Sequence, residues 1–377
     1  MKNVLTYLRG LIGLLSLLAT LSLLLAIPCG QVLAQEQEQS NYSFPRNTSP
    51  YIASLVKPNY KYTWQDYAKM SIWASQTGGR TINEQEILAY TATIENAVHE
   101  LLPALPQNDQ KTQAEFILRY IHNKFLKTYE PKQTRLDVLL ATGTYNCVSS
   151  ANLYMLLTQA AGIQTVGVIT KDHAFISVLA GGQAIDVETT NRYGFDPGSK
   201  KEFKDEFGSS TGFAYVPQGN YHDRRDISPL ELISLIMSNR LADANQGSHD
   251  EVIPLAIDRA TLLKGRANPI SSPLFIDADN DAAVRVYNYG VFLLNSGRER
   301  AAIAWTEQAT KLYPDYPPYK KLLDTAKHNI GVEYHNKFVK LYNSRDFLAA
   351  KQVVQEGLTE VPQDEQLLKD IELLQDK

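Results

Sequence analysis

Hydrophobic residues recur at steps of three and four from Thr81 to Gly162. The period changes to two between Gln164 and Thr190, and returns to helical steps from about Ile227 onward. A period near 3.6 collects apolar side chains on one side of a helix, and a period of two collects them on one face of a strand. A chain that changes period twice in this order is neither an all-helical bundle nor a doubly wound α/β sheet. It reads as α+β: helices packed on a small antiparallel sheet, followed by an all-α region.

The helical stretches carry their own punctuation. "INEQEILAYTATIENAVHELLPAL" opens with an Asn-x-x-Glu start at Asn83 and sets Ile87, Tyr90, Ile94 and Val98 on one side. "TQAEFILRYIHNKFLKTY" does the same with Phe116, Ile117, Tyr120, Ile121 and Phe125. A third helix follows Cys147, lined by Val148, Ala151, Met155, Leu156 and Ala160 and stopped by Gly162. "QTVGVIT", "HAFISVLA" and "QAIDVETT" are then three strands, the last two joined through Gly181-Gly182 as a two-residue hairpin turn.

The first 34 residues stand apart. Lys2 and Arg9 precede an uncharged apolar run of 18 residues, Gly10 to Ile27, and Val32 and Ala34 are small residues where a signal peptidase inspects them. This predicts a secretory signal peptide cleaved after Ala34, with an uncleaved N-terminal membrane anchor as the alternative. Pro28 ahead of Cys29 argues against a lipid-bearing cysteine there. Either way the rest of the chain is expected outside the cytoplasm: periplasmic, in the cell envelope, or secreted. Cleavage removes Lys2, Arg9 and Cys29 but no acid, moving the net charge from −4 to −6 and leaving Cys147 as the single cysteine. An exported lone cysteine has no internal disulfide partner, so it is either an inert buried thiol or a working one. The negative balance offers no basic field for nucleic acid.

The C-terminal region repeats. Gly290, Ala302, Ala309 and Pro314 are spaced 12, 7 and 5 apart, and Phe338, Ala350, Gly357 and Pro362 repeat that spacing 48 residues later. Small residues at fixed helical intervals let antiparallel helices approach closely, and a proline ends the second. Both copies resemble tetratricopeptide repeats, the first most closely, and Leu241, Ile253, Ala260 and Gly265 suggest a third. The expected organisation is therefore residues 1–34 as signal peptide or anchor, and 35–83 as linker and extension. Residues 84–226 form the α+β domain and 227–377 the helical repeats.

Cys147 at a helix start meets open backbone N–H groups and the positive end of the helix dipole, which favour thiolate and can receive an oxyanion. Such a nucleophile needs a base, and the base an orienting partner. His173 opens the second strand, and Asp186 and Glu188 lie on the third. "GTYNCVSSANLYMLLTQAAGIQTVGV", "DHAFISV" and "IDVETTN" in this order resemble the transglutaminase-like superfamily, a branch of the papain-like cysteine enzymes, over roughly residues 84–215. The resemblance implies a papain-like core, Cys147 as nucleophile, His173 as base and an acid on the next strand. That family's third motif is normally Asp-Pro-Thr, and Glu188-Thr189-Thr190 stands in its place. One Cys and one His without paired spacing make a thin metal-ligand set, and no phosphate-binding loop or Gly-x-Ser-x-Gly is present, so no cofactor or metal is expected.

Strand geometry separates the two acids. With Gly181-Gly182 as the turn, Ala180 faces Gln183, Ser177 faces Asp186 and Phe175 faces Glu188. Glu188 is then a diagonal neighbour of His173 at roughly 7–8 Å, whereas Asp186 lies roughly 13 Å along the ladder. An orienting carboxylate must come within about 3 Å of the imidazole, which favours Glu188, with Asp186 as the alternative. Two readings stand. One is an exported cysteine enzyme acting on peptide or isopeptide amides through a thiol acyl-enzyme, by hydrolysis or amine transfer. The other is a silent scaffold that binds peptides or envelope proteins on its repeats. Partners are a peptide or protein substrate and proteins docked on the repeats, with the membrane met only through residues 1–34 if uncleaved. N-terminal sequencing of native protein is expected to read from Gln35; a membrane-bound chain retaining residues 1–34 would instead identify the anchor.

Overall fold

The computed structural model describes residues 44–45, 52, 56, 61–77, 83–107, 109–199, 223–244, 249–264 and 273–375. The expected signal peptide or anchor lies outside them, and no described helix is long and apolar enough to cross a membrane. The described architecture is α+β: twelve α-helices and two small sheets.

Residues 64–76, which carry no clear period in the sequence, form α1 (Trp64–Gln76). A reciprocal cap starts it: Thr63 Oγ1 accepts from the Asp66 amide at 3.2 Å, and Asp66 accepts from the Thr63 amide at 2.8 Å. Tyr67, Met70, Ile72 and Trp73 are buried, because this helix lies inside the domain. It packs against α2 (Glu84–Ala104), α4 (Leu136–Thr142), α5 (Cys147–Ala160) and α6 (Pro229–Asp243). Three buried polar contacts lock it there. Tyr67 Oη donates to Asn152 Oδ1 at 2.7 Å, Ser75 Oγ accepts from the Leu136 amide, and Arg240 donates to the Ala74 carbonyl. The other early helix, α3 (Gln110–Lys124), covers α5 from a second side.

Four antiparallel strands form the main sheet in the order β5-β4-β3-β6. They are β3 (Thr165–Ile169), β4 (Ala174–Ala180), β5 (Gln183–Val187) and β6 (Arg225–Ile227). Gly181 and Gly182 turn the β4–β5 hairpin with φ of 60° and 77°, the pair of positive values that a tight primed turn requires. The register is the expected one, with Ala180 opposite Gln183 and Ser177 opposite Asp186. Ile176, Val178, Ile185 and Val187 are buried in the main core, and α5 packs on β3 and β4. The edge strand β6 adds to the three expected; three residues are too few to display alternation. A separate parallel pair, β1 (Thr128–Tyr129) and β2 (Thr144–Tyr145), lies just ahead of α5.

Helix α6 follows β6 after a single residue, Ser228, whose side chain caps it with Glu231. It packs on α1, α5 and β3 on one side and on α7 (His249–Lys264) on the other, so the sheet and the helical region meet through it. Beyond come α8 (Pro273–Asn295), α9 (Glu299–Leu312), α10 (Pro318–Asn343), α11 (Phe347–Glu360) and α12 (Glu365–Glu372). Ala302, Ala309 and Ala350 are fully buried. Pro314 and Pro362 each follow a helix end by two residues. The length beyond an ordinary pair goes into the first helix of each copy, 23 residues in α8 and 26 in α10. Leu241 and Ala260 fall on neighbouring helices α6 and α7, while Gly265 lies outside the described residues. One apolar core runs from Ile52 to Ala326 and crosses the expected boundary at residue 227 without interruption. A second, smaller cluster gathers Ile330, Tyr334, Phe338, Ala350, Val354 and Leu367.

Removing the Tyr67 hydroxyl tests whether α1 belongs to this core. Tyr67→Phe leaves Asn152 Oδ1 buried without its donor, and is expected to destabilise the protein by about 1–3 kcal/mol in urea unfolding. An unchanged midpoint would place α1 outside the cooperative unit.

Candidate active site

Cys147 is the first residue of α5, and local chemistry fixes that start. Asn146 has extended backbone geometry, its Oδ1 accepts from the Ser149 amide at 3.0 Å, and Ser149 Oγ accepts from the Asn146 amide at 2.9 Å. This reciprocal cap satisfies the third helical amide and leaves those of Cys147 and Val148 without an acceptor among the described residues. The same side chains hold the preceding segment against the helix start. Asn146 Nδ2 donates to the Pro131 carbonyl at 3.0 Å, and Ser149 Oγ to the Gln133 carbonyl at 3.1 Å. Cys147 is half-buried and is the one free cysteine among the described residues.

His173 and Glu188 come from the same end of the sheet, where β4 begins and β5 ends. The His173 carbonyl closes the β3–β4 turn by accepting from the Thr170 amide at 3.0 Å. Its Nε2 lies 2.5 Å from Glu188 Oε2, and both side chains are shielded from solvent. The other Glu188 oxygen accepts from the Thr190 amide at 3.2 Å and the Thr190 hydroxyl at 2.7 Å. Beyond Glu188 the chain doubles back sharply. The Glu188 amide donates to the Gly194 carbonyl, and Phe195 bridges to Val187. At Gly194 a Cβ would fall 2.0 Å from the Glu188 carbonyl oxygen, so this return admits only glycine.

Burial works against charge on the His173 ring, but it is outweighed by the Glu188 carboxylate, by hydrogen bonds to Cys147 and Glu188, and by the Cys147 charge. Together they hold its pKa well above the ordinary histidine value. With Nε2 turned to Glu188, Nδ1 is the remaining ring nitrogen. The structure thus brings Cys147, His173 and Glu188 together.

Asp186 has another partner. Its two oxygens take Arg224 Nη1 and Nη2 at 2.8 and 3.0 Å, and that guanidinium lies over the Phe175 ring at 5.4 Å. Its carboxylate is committed to a bidentate ion pair on the sheet face.

Several further residues support the site. His122 on α3 meets the Thr189 carbonyl through Nε2 at 3.0 Å; burial chiefly pushes its pKa down to about 4, so it is a neutral donor supporting the turn beside Glu188. Tyr145 donates to the Thr190 carbonyl at 3.2 Å, and burial and Glu188 push its pKa up to about 12. Ser150 and Thr189 share a hydroxyl contact at 2.8 Å. Tyr129 stands edge-on to Tyr145, with ring centres 5.7 Å apart. Of these five, Tyr145, Ser150 and Thr189 lie within three residues of Cys147 or Glu188 in the sequence, whereas His122 and Tyr129 reach the site only through tertiary contact. Among the described residues no group of three or more His, Cys, Asp or Glu side chains could hold a metal ion.

The buried pair makes stability depend on pH. A histidine whose folded pKa is raised stabilises the fold fully below its unfolded value, about 6.5, and this contribution fades as pH rises through the raised value. Glu188→Gln is expected to lower stability by roughly 2–3 kcal/mol at pH 6, with the gap to wild type narrowing in alkaline solution. Urea midpoints across pH would show this, and a gap independent of pH would contradict the charged pair. No protein-family model matches the chain and no curated protein matches it.

Proposed function

We propose that the protein is an exported thiol enzyme of the transglutaminase-like kind, with a papain-like core, acting on peptide or isopeptide amides. One observation carries the reading: the His173 imidazole is held at 2.5 Å by a buried, fully hydrogen-bonded carboxylate, within the electrostatic influence of a thiol at an open helix start. Cys147 is the nucleophile, His173 the base and then the acid, and Glu188 the residue that orients the ring.

In this mechanism His173 holds the thiol proton, leaving a thiolate at the positive end of α5. Sγ attacks the amide carbonyl, a carbon–sulfur bond forms, and the carbonyl electron pair moves onto oxygen. Collapse breaks the carbon–nitrogen bond while His173 gives its proton to the departing amine. Water or a primary amine, deprotonated by His173, then attacks the thioester and regenerates the thiol. The C-terminal helices, read as tetratricopeptide-like repeats, would dock the protein or cell-wall peptide that supplies the amide. A scaffold reading draws on glutamate standing where aspartate is usual. Glu188 at 2.5 Å from the ring performs the orienting role of that aspartate, which weighs for the enzyme.

Iodoacetamide labelling across pH tests the dyad. Cys147→Ala should abolish labelling, and His173→Ala should slow it markedly near neutral pH. Glu188→Gln should reduce amide turnover about 10²-fold or more, while Asp186→Asn should leave it near wild type. Release of fragments from fluorescent casein would identify hydrolysis, and incorporation of a fluorescent primary amine into casein would identify transfer. Equal labelling of wild type and His173→Ala would overturn the proposal.

A further inference from the structure

Resting on the thiol-enzyme reading, we propose that the Tyr129 hydroxyl is a catalytic hydrogen-bond donor. It would stabilise the oxyanion formed when Cys147 attacks a carbonyl, together with the Cys147 amide. Nothing in the motif set points to this residue; its placement does. The parallel β1–β2 pair sets Tyr129 directly opposite Tyr145, two residues ahead of the nucleophile. The segment that follows is fastened to the helix start by three hydrogen bonds: Glu130 amide to Tyr145 carbonyl at 2.8 Å, Asn146 Nδ2 to Pro131 carbonyl, and Ser149 Oγ to Gln133 carbonyl. Tyr129 is therefore held by the same groups that cap α5, and it moves with Cys147 rather than with a loop.

The two paired tyrosines differ in what their hydroxyls do. Tyr145 donates a hydrogen bond to the Thr190 carbonyl and belongs to the support beneath Glu188. Tyr129 is half-buried, and its hydroxyl has no hydrogen-bond partner among the described residues. A phenol partly removed from water usually finds an acceptor, and the oxygen of a carbonyl held at Cys147 would supply one. Burial first, then the charges of Cys147 and Glu188, raise the Tyr129 pKa. The strand pairing and the edge-on contact with Tyr145 place the ring beside the start of α5, and the raised value keeps the phenol protonated wherever the enzyme works.

In the step concerned, the Cys147 Sγ–carbon bond forms and the carbonyl electron pair becomes an oxyanion. That oxygen accepts from the Cys147 N–H and the Tyr129 O–H, and both protons stay with their donors. When the tetrahedral species collapses, the electron pair returns to the carbonyl and the leaving group departs. Loss of one such donor typically slows reaction by roughly 10²–10³-fold.

Two reactions of Cys147 separate this role from simple support. Iodoacetamide alkylates the thiolate by displacement and forms no oxyanion; p-nitrophenyl acetate acylates it through a tetrahedral oxyanion and releases nitrophenolate. In the full-length protein, Tyr129→Phe is expected to slow acylation about tenfold or more while the alkylation rate stays at the wild-type value. Equal acylation rates in wild type and Tyr129→Phe would overturn the assignment. Equal slowing of both reactions would overturn it too, since the residue would then support the thiolate and not the oxyanion. A wild-type protein that is alkylated but never acylated would remove the enzyme reading itself, and this inference with it.

Discussion

A carboxylate hidden from water is tolerated only when its oxygens are met by donors, and Glu188 satisfies that condition from two directions. One oxygen is held by Thr190, and the other faces the ring of His173. Much of the surrounding structure serves this one demand. The chain must turn back within a few residues of β5, which needs Gly194 at a point where no side chain fits. The turn must be supported from outside, which His122, Ser150 and Tyr145 do from α3, α5 and β2. Without these supports the acid would turn toward solvent, and His173 would lose both its fixed orientation and its charge.

The second demand is placed on the thiol. Cys147 sits where it does because Asn146 and Ser149 start α5 one residue earlier, and because the Thr128–Gln133 segment lies against that start. Cys147 and His173 therefore arrive from independent parts of the fold, a capped helix and a hairpin end. Their meeting depends on the packing of α5 against β3 and β4. The Asp186–Arg224 pair belongs to the same sheet but to a different task, holding the segment before β6 across the hairpin.

Local signals made a large part of this legible in the sequence. The switch of hydrophobic period located α2, α3, α5 and the three longer strands. Two adjacent glycines fixed the hairpin register, and that register distinguished Glu188 from Asp186. What stayed hidden was set by contacts distant in sequence. Helix α1 is buried on most sides, and in the sequence Tyr67 and Trp73 read as aromatics in a stretch whose partners lie far along the chain. The strands β1, β2 and β6 have two or three residues each, shorter than any alternation can register. His122 and Tyr129 are ordinary members of a helix and a two-residue strand until folding brings them beside residues some 16 to 67 positions away. In the repeats the 12, 7, 5 spacing marked the helix pairs, but not where the added length would go.

Helix α10 draws that added length into one rod of 26 residues, about 39 Å long at 1.5 Å per residue. Tyr319 and Ala326 near its start belong to the large core, and Ile330, Tyr334 and Phe338 further along belong to the small one. Two apolar clusters are thus threaded on a single unbroken helix, with no linker between them. Heat would melt the terminal α11–α12 cap first, and the exposed second half of α10 would fray toward the larger unit. The part carrying Cys147 has its own, larger reserve of buried surface. A calorimetric trace of such a chain would show a small transition ahead of a large one, and the Cys147–His173–Glu188 arrangement would be lost with the second.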